Sequence, residues 1–290
     1  MQVKPVKRVI ITADDLGIDR NINRGIIESF NNGLLKSTAL LMNAPETGEG
    51  IELAKKHPGL ETGIHLSIVE GISLRGTHSS ITDSISYFGG RICLIKYWKD
   101  FLKNYMLGKI EFHELEEELE LQIKSFLKHF DSIPFVNGTQ HMHLMPKVWK
   151  IVIRLAKKYD VKAVRLPGLT KPSVLWLNKR LPFLIPFQLL GEKSRSDCRK
   201  AGVKYPMNVL GMQYSGKINE SKLLLLLDNN HAETSEIVMH PGYESMTLRK
   251  DLPWAYSSFD WDSERKALQS EKVSAYIQKN QIKMINFSEL

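Results

Sequence analysis

Asp14 and Asp15 stand side by side where the apolar run Val9-Ile10-Ile11-Thr12-Ala13 ends. His65 lies inside Gly63-Ile64-His65-Leu66-Ser67, and His141-Met142-His143 follows Ile133-Pro134-Phe135-Val136-Asn137. His240 closes Glu236-Ile237-Val238-Met239. Adjacent carboxylates repel, so a strand end carrying two loses stability unless something positive neutralises them. A divalent cation does so by binding one carboxylate and leaving the other to accept a proton. The plainer use of the pair is a turn with an Asp helix cap. Neutral imidazole is a common ligand for zinc and similar ions; a core histidine satisfied by a backbone carbonyl is its bland counterpart. Gathered together, these groups point to a divalent metal, magnesium or zinc, and an activated water.

Three further features bear on that chemistry. Thr139, His141 and His143 alternate, so an extended chain would put them on one face, where one or both histidines reach a metal or substrate. Arg165, in Val164-Arg165-Leu166-Pro167, could hold an aspartate ionised and oriented, or form an ordinary surface ion pair. His240 precedes the turn signal Pro241-Gly242 and could serve as a proton donor or as a structural histidine. The convergence demands that Asp15 and His65 lie within roughly 10 Å, since ligands of one ion sit ~2 Å from it.

Eight apolar runs read as strands, at 8–13, 37–42, 60–66, 133–139, 162–166, 206–210, 235–239 and 282–287. Between them, 21–34, 111–130, 147–159 and 263–279 carry helical periodicity, with Pro146 as a start signal for the third. Alternation of this kind implies βα units and a parallel sheet, and eight runs favour a distorted α/β barrel of (β/α) type. No GxGxxG follows the first run, which argues against a dinucleotide-binding fold. With no internal repeat or linker, a single domain over 1–290 is expected, with an inserted loop at about 70–110. Tyr87, Phe88, Tyr97 and Trp98 in that insertion are candidates for stacking on a ligand or for core packing. Pro182 and Pro186 should break any long helix in the apolar stretch 174–190.

Charged residues at 25% and hydrophobic ones at 42% suit a soluble globular chain of 290 residues. The net charge of +8 would suit an anionic partner, but no nucleic-acid module is present, so no nucleic-acid role is expected. Two cysteines without CxxC spacing argue against a disulfide framework or a thiolate zinc site. The first apolar run is too short for a signal h-region, and no stretch approaches the ~20 residues that span a bilayer. A cytoplasmic location is the default expectation. Peripheral membrane contact through 174–190 and pairing into a homodimer are further partner expectations.

Taken in order, these motifs resemble the YdjC-type carbohydrate deacetylases, in their hopanoid-associated branch. The likeness runs through Thr12-Ala13-Asp14-Asp15-Leu16-Gly17, Gly25-Ile26, Gly33-Leu34-Leu35-Lys36-Ser37-Thr38, Gly63-Ile64-His65-Leu66 and Glu70-Gly71. It continues through His141-Met142-His143-Leu144-Met145-Pro146, Arg165-Leu166-Pro167 and His240-Pro241-Gly242. The resemblance implies a distorted (β/α) barrel that removes the acetyl group from an acetylated amino sugar with a divalent metal. It implies Asp14 as general base, Asp15 and His65 as metal ligands, and His240 as the acid. Beside these, Arg165 is a candidate catalytic residue, and Thr139 and Glu70 are candidates at the substrate. The family carries a histidine where this chain has Thr139. His141 or His143 must then substitute as the third ligand, or water fills the position, or metal binding weakens. Two other readings remain: a metal hydrolase of another ester or amide, and a catalytically impaired sugar-binding or membrane-associated protein.

Overall fold

The computed structural model describes residues 7–83, 91–168, 181–252 and 256–290, with side chains of 181–184 outside that description. All eight expected strands are present: β1 (Arg8–Leu16), β2 (Ser37–Leu40), β3 (Glu61–Leu66), and, beyond a two-stranded hairpin β4 (Thr82–Asp83) with β5 (Cys93–Leu94), β6 (Phe135–Gly138) and β7 (Ala163–Val164). β8 (Asn208–Leu210), β9 (Thr234–Met239) and β10 (Lys283–Met284) follow. The main sheet runs β7-β6-β3-β2-β1-β9-β8, with β10 on the first residues of β1. All its pairings are parallel. The sheet curls into an open half-barrel, a distorted (β/α) barrel as expected; at its edges a single parallel bridge joins Ala163 to Lys204, just ahead of β8.

Strands buried on both faces fill the inside of the curl in layers. Ile10, Ala39, Phe135, Ala163, Ile285 and Phe287 form the lowest, where the Phe135 and Phe287 rings stack at 4.0 Å. Above them, on the same faces of β1, β3, β6 and β9, come the polar side chains of the C-terminal ends. The outer faces pack on amphipathic helices. Arg20–Asn31 buries Ile22, Ile26 and Ile27, while Pro146–Lys158 buries Val148, Ile151, Val152 and Leu155.

Several sequence expectations need correction. The final helix is two, Trp261–Leu268 and Glu271–Lys279, because the Ser270 hydroxyl caps a new start by accepting from the Val273 amide. Helix Leu181–Ala201 contains Pro186 instead of breaking there, and the earlier part of the 174–190 stretch lies outside the described residues. The 70–110 segment is docked by the buried carboxylate of Glu118, which accepts from the Ser73 hydroxyl and the Leu74 and Arg75 amides. No described helix is long and apolar enough to cross a membrane.

Candidate active site

In a regular strand, neighbouring side chains point to opposite faces. The pairing of β1 with β2 shifts register between Ala13 and Leu16, and Asp15 adopts φ +74°. This irregularity turns both adjacent carboxylates to the same end of the barrel. Neither is a helix cap: Asp19 caps the following helix, accepting from the Asn21 amide.

Asp14 is buried and held in a bidentate pair by Arg165, at 2.6 Å from Nη1 to Oδ2 and 2.8 Å from Nη2 to Oδ1. Arg165 is itself fully buried and shares its other side with Glu236, at 2.9 Å from Nε and 2.6 Å from Nη2. Burial alone would raise the Asp14 pKa; the guanidinium, helped by His65 and His240, overrides it and holds the carboxyl well below the usual range. Asn137 Nδ2 also donates to Asp14 Oδ1 at 2.9 Å.

The same Asn137 organises His65. Its Oδ1 accepts from His65 Nδ1 at 2.5 Å, which turns Nε2 outward. His65 Nε2 lies 3.5 Å from Asp15 Oδ1, and Asp15 Oδ2 accepts from the Tyr256 hydroxyl at 3.1 Å. That spacing matches two donors each about 2.1 Å from one cation. Among the described residues no third His, Cys, Asp or Glu completes the group. An imidazole and a carboxylate at that spacing fit a divalent cation whose remaining positions are filled by water.

His240 enters from the end of β9. Glu264 accepts from its backbone amide, and the carboxylate lies 3.8 Å from His240 Nδ1. Burial would lower this imidazole's pKa; Glu264, with Asp15 and Asp14, outweighs it and pushes the value up to about 9. Glu264 is placed by accepting the Ile218 amide at 2.9 Å.

The Thr139–Leu144 segment is not extended. It winds into a 3₁₀ turn in which Gln140 and His141 both take left-handed backbone angles. The alternation argument therefore fails, and the two histidines part. His141 lines the cleft, its Nδ1 buried without a hydrogen-bond partner, and burial holds its pKa well below the usual value. His143 is fully buried, contacts the Arg165 carbonyl through Nε2 at 3.1 Å, and is lowered to about 3 by burial. It is not among the residues lining the cleft. Thr139 and Glu70 do line it, with Gln140 donating to Glu70 at 2.6 Å.

These groups meet in a cleft of about 270 Å³ that Asp14, Asp15, His65, His240, Tyr256 and Phe259 help to line. Of the aromatics expected there, Tyr97 and Trp98 do not reach it, and Tyr87 and Phe88 lie outside the described residues. Phe259, 5.1 Å from the His240 ring, supplies the aromatic wall instead. Reading the sequence also missed Asn137, Glu236 and Glu264. The signal for the first two was a lone polar residue inside an apolar strand.

Proteins of similar sequence include a carbohydrate deacetylase of Clostridium beijerinckii, 27% identical over 98% of this chain and 100% of that protein. A human protein, also named carbohydrate deacetylase, is 28% identical over 84% of this chain and 77% of its own length. A solved structure from Enterococcus faecalis V583, named for cellobiose-phosphate cleavage, shares the fold at a TM-score of 0.76, with 23% identity and 98% of both chains covered. The YdjC-like protein model matches residues 8–279, and the chain belongs to that family.

Proposed function

We propose that this chain is a hydrolase that removes the N-acetyl group from an acetylated amino sugar, a chito-oligosaccharide or a glucosaminyl lipid, and releases acetate. One observation carries the reading: a carboxylate held ionised at Asp14 faces the same cleft as an imidazole held protonated at His240, beside Asp15 and His65. The relatives named carbohydrate deacetylase support it.

Amide hydrolysis needs a proton removed from water as it adds to the carbonyl, and one delivered to nitrogen as the C–N bond breaks. Asp14 takes the first; Arg165 and Asn137 hold it facing the cleft. The guanidinium also makes Asp14 a weak base, so a captured proton is held only briefly and returns through solvent to the imidazole of His240 once that has given up its own. His240, an imidazolium at neutral pH, supplies the second proton, without which the amine leaves poorly. Asp15 and His65 would hold a divalent cation, with water or the Thr139 hydroxyl at the third position. When bound, the ion would polarise the acyl carbonyl and lower the pKa of its water from 15.7 toward ~7. Glu70, which accepts from Gln140, would accept from a sugar hydroxyl.

Among the described residues the donor set stops at Asp15 and His65, with Thr139 where the family has a histidine, and this favours one second reading, a sugar-binding protein with impaired turnover. Acetate and phosphate release should be measured over N-acetylated chito-oligosaccharides, glucosaminyl lipids and phosphorylated sugars, with added magnesium or zinc. The proposal expects acetate alone. Phosphate release would replace it with a phosphoester hydrolase; sugar affinity that survives Asp14→Asn, with no turnover under any metal, would favour the binding protein.

A further inference from the structure

A second, smaller space opens beside the cleft and shares Asp15, Glu70, Thr139 and Tyr256 with it. Its other walls are mostly apolar, among them Ile18, Leu41 and Leu252, and its volume of about 20 Å³ has room for one group of water or methyl size. Into it faces Asn43, 2% exposed, whose amide nitrogen and oxygen both lack a hydrogen-bond partner. The buried Thr139 hydroxyl lacks one too. Buried polar groups are rarely left unpaired, so this amide is either wetted by a single water or reserved for a ligand.

The amide is also held in place. The Asn43 carbonyl accepts from the Ile72 amide at 2.8 Å, and Gly71, at φ +120°, lies so close that a Cβ there would sit 3.0 Å from Asn43 Nδ2. A glycine is thus required at 71 for the chain to roof the amide. The result is a fixed polar head beside Asp15 and an apolar end of one-carbon size.

We infer that this pocket seats the methyl end of the substrate's acyl group, against Leu41 and Ile18, while the carbonyl oxygen at its mouth accepts from Asn43 Nδ2. The inference rests on the deacylase reading and deepens it: the pocket sets the acyl length, admitting acetyl and rejecting longer chains. An added methylene has nowhere to go without displacing wall residues, and such a mismatch is typically worth 10- to 200-fold in kcat/KM.

The test compares N-acetyl and N-propionyl forms of one chito-oligosaccharide on the whole protein, by kcat/KM and by calorimetric affinity. The ratio of the two substrates is independent of how much of a variant folds. Wild type should prefer acetyl by roughly tenfold or more, Leu41→Ala should bring the ratio toward one, and Asn43→Asp should lower kcat/KM for both while leaving the length preference. Hydrolysis of both forms at equal rates, with a ratio unmoved by Leu41→Ala, would overturn the pocket and leave the deacylase reading intact. Absence of turnover together with an affinity preference for acetyl that Leu41→Ala erases would sustain the pocket and sink the deacylase reading. An Asn43→Asp variant equal to wild type on both substrates would mean that the amide holds only a water.

Discussion

At the scale of single residues, the candidate site is two proton-carrying groups pushed in opposite directions. Asp14 is held ionised by Arg165, and Glu264 lifts His240 to about 9. If His240 is the acid, kcat/KM should be flat near neutrality and fall as pH rises through about 9, where the imidazolium is lost. Glu264→Gln removes the largest group supporting that proton. The alkaline limb should then move down toward the ordinary histidine value of 6.5, read from pH–rate profiles of the two proteins. A limb that stays in place would mean that another group titrates. Thr139→His would add a third donor, a second imidazole, beside Asp15 and His65 and should raise affinity for zinc, measured by equilibrium dialysis. Part of this was legible from the sequence, because Asp14-Asp15, His65 and His240 interrupt apolar runs with groups that titrate. Asn137, Glu236 and Glu264 were harder to see. One amide or carboxylate in a hydrophobic segment says nothing of its partner 70 or 120 residues away.

At the scale of elements, the parallel strands were readable because both their faces are buried, which leaves continuous apolar runs. What could not be read was local conformation imposed by packing. The left-handed pair at Gln140 and His141 and the irregular end of β1 at Asp15 are held by their surroundings, and these features decide which side chains face the cleft. The placement of His240 depends on another packing contact. Gly25 of the first helix meets Gly242 so closely that a Cβ on Gly25 would lie 2.3 Å from the Gly242 Cα. Gly25→Ala gains helix propensity, worth about 0.5–1 kcal/mol, but must push the His240-Pro241-Gly242 turn away. Overpacking of this kind costs about 1–3 kcal/mol. Urea unfolding should show a net loss of stability, and kcat should fall more than KM changes.

Over the whole molecule, the barrel interior grades from aromatic and aliphatic packing at the closed end to a buried ionic layer, and then to the open cleft. Arg165 lies at the centre of that layer, paired with Asp14 and Glu236 at once. Burial would strip its proton; the two carboxylates hold it and raise its pKa above the usual range. Replacing it with Met leaves two buried carboxylates uncompensated. Arg165→Met should therefore destabilise the fold by about 3–5 kcal/mol in urea unfolding, whereas an effect within about 0.5 kcal/mol, as at an ordinary surface site, would show that the ionic layer does not hold the structure. The His240–Glu264 pair adds its own pH dependence. Its stabilisation is fully present below 6.5 and is lost as pH rises through about 9.

The most direct measurement is acetate and free amine released together from an N-acetylated chito-oligosaccharide by wild type and Asp14→Asn, with circular dichroism confirming that both fold. Equal molar yields of the two products from wild type, and a rate lower by about 10²- to 10⁴-fold in the variant, are expected. Acetate released as fast by Asp14→Asn as by wild type would contradict the assignment of hydrolysis to this cleft.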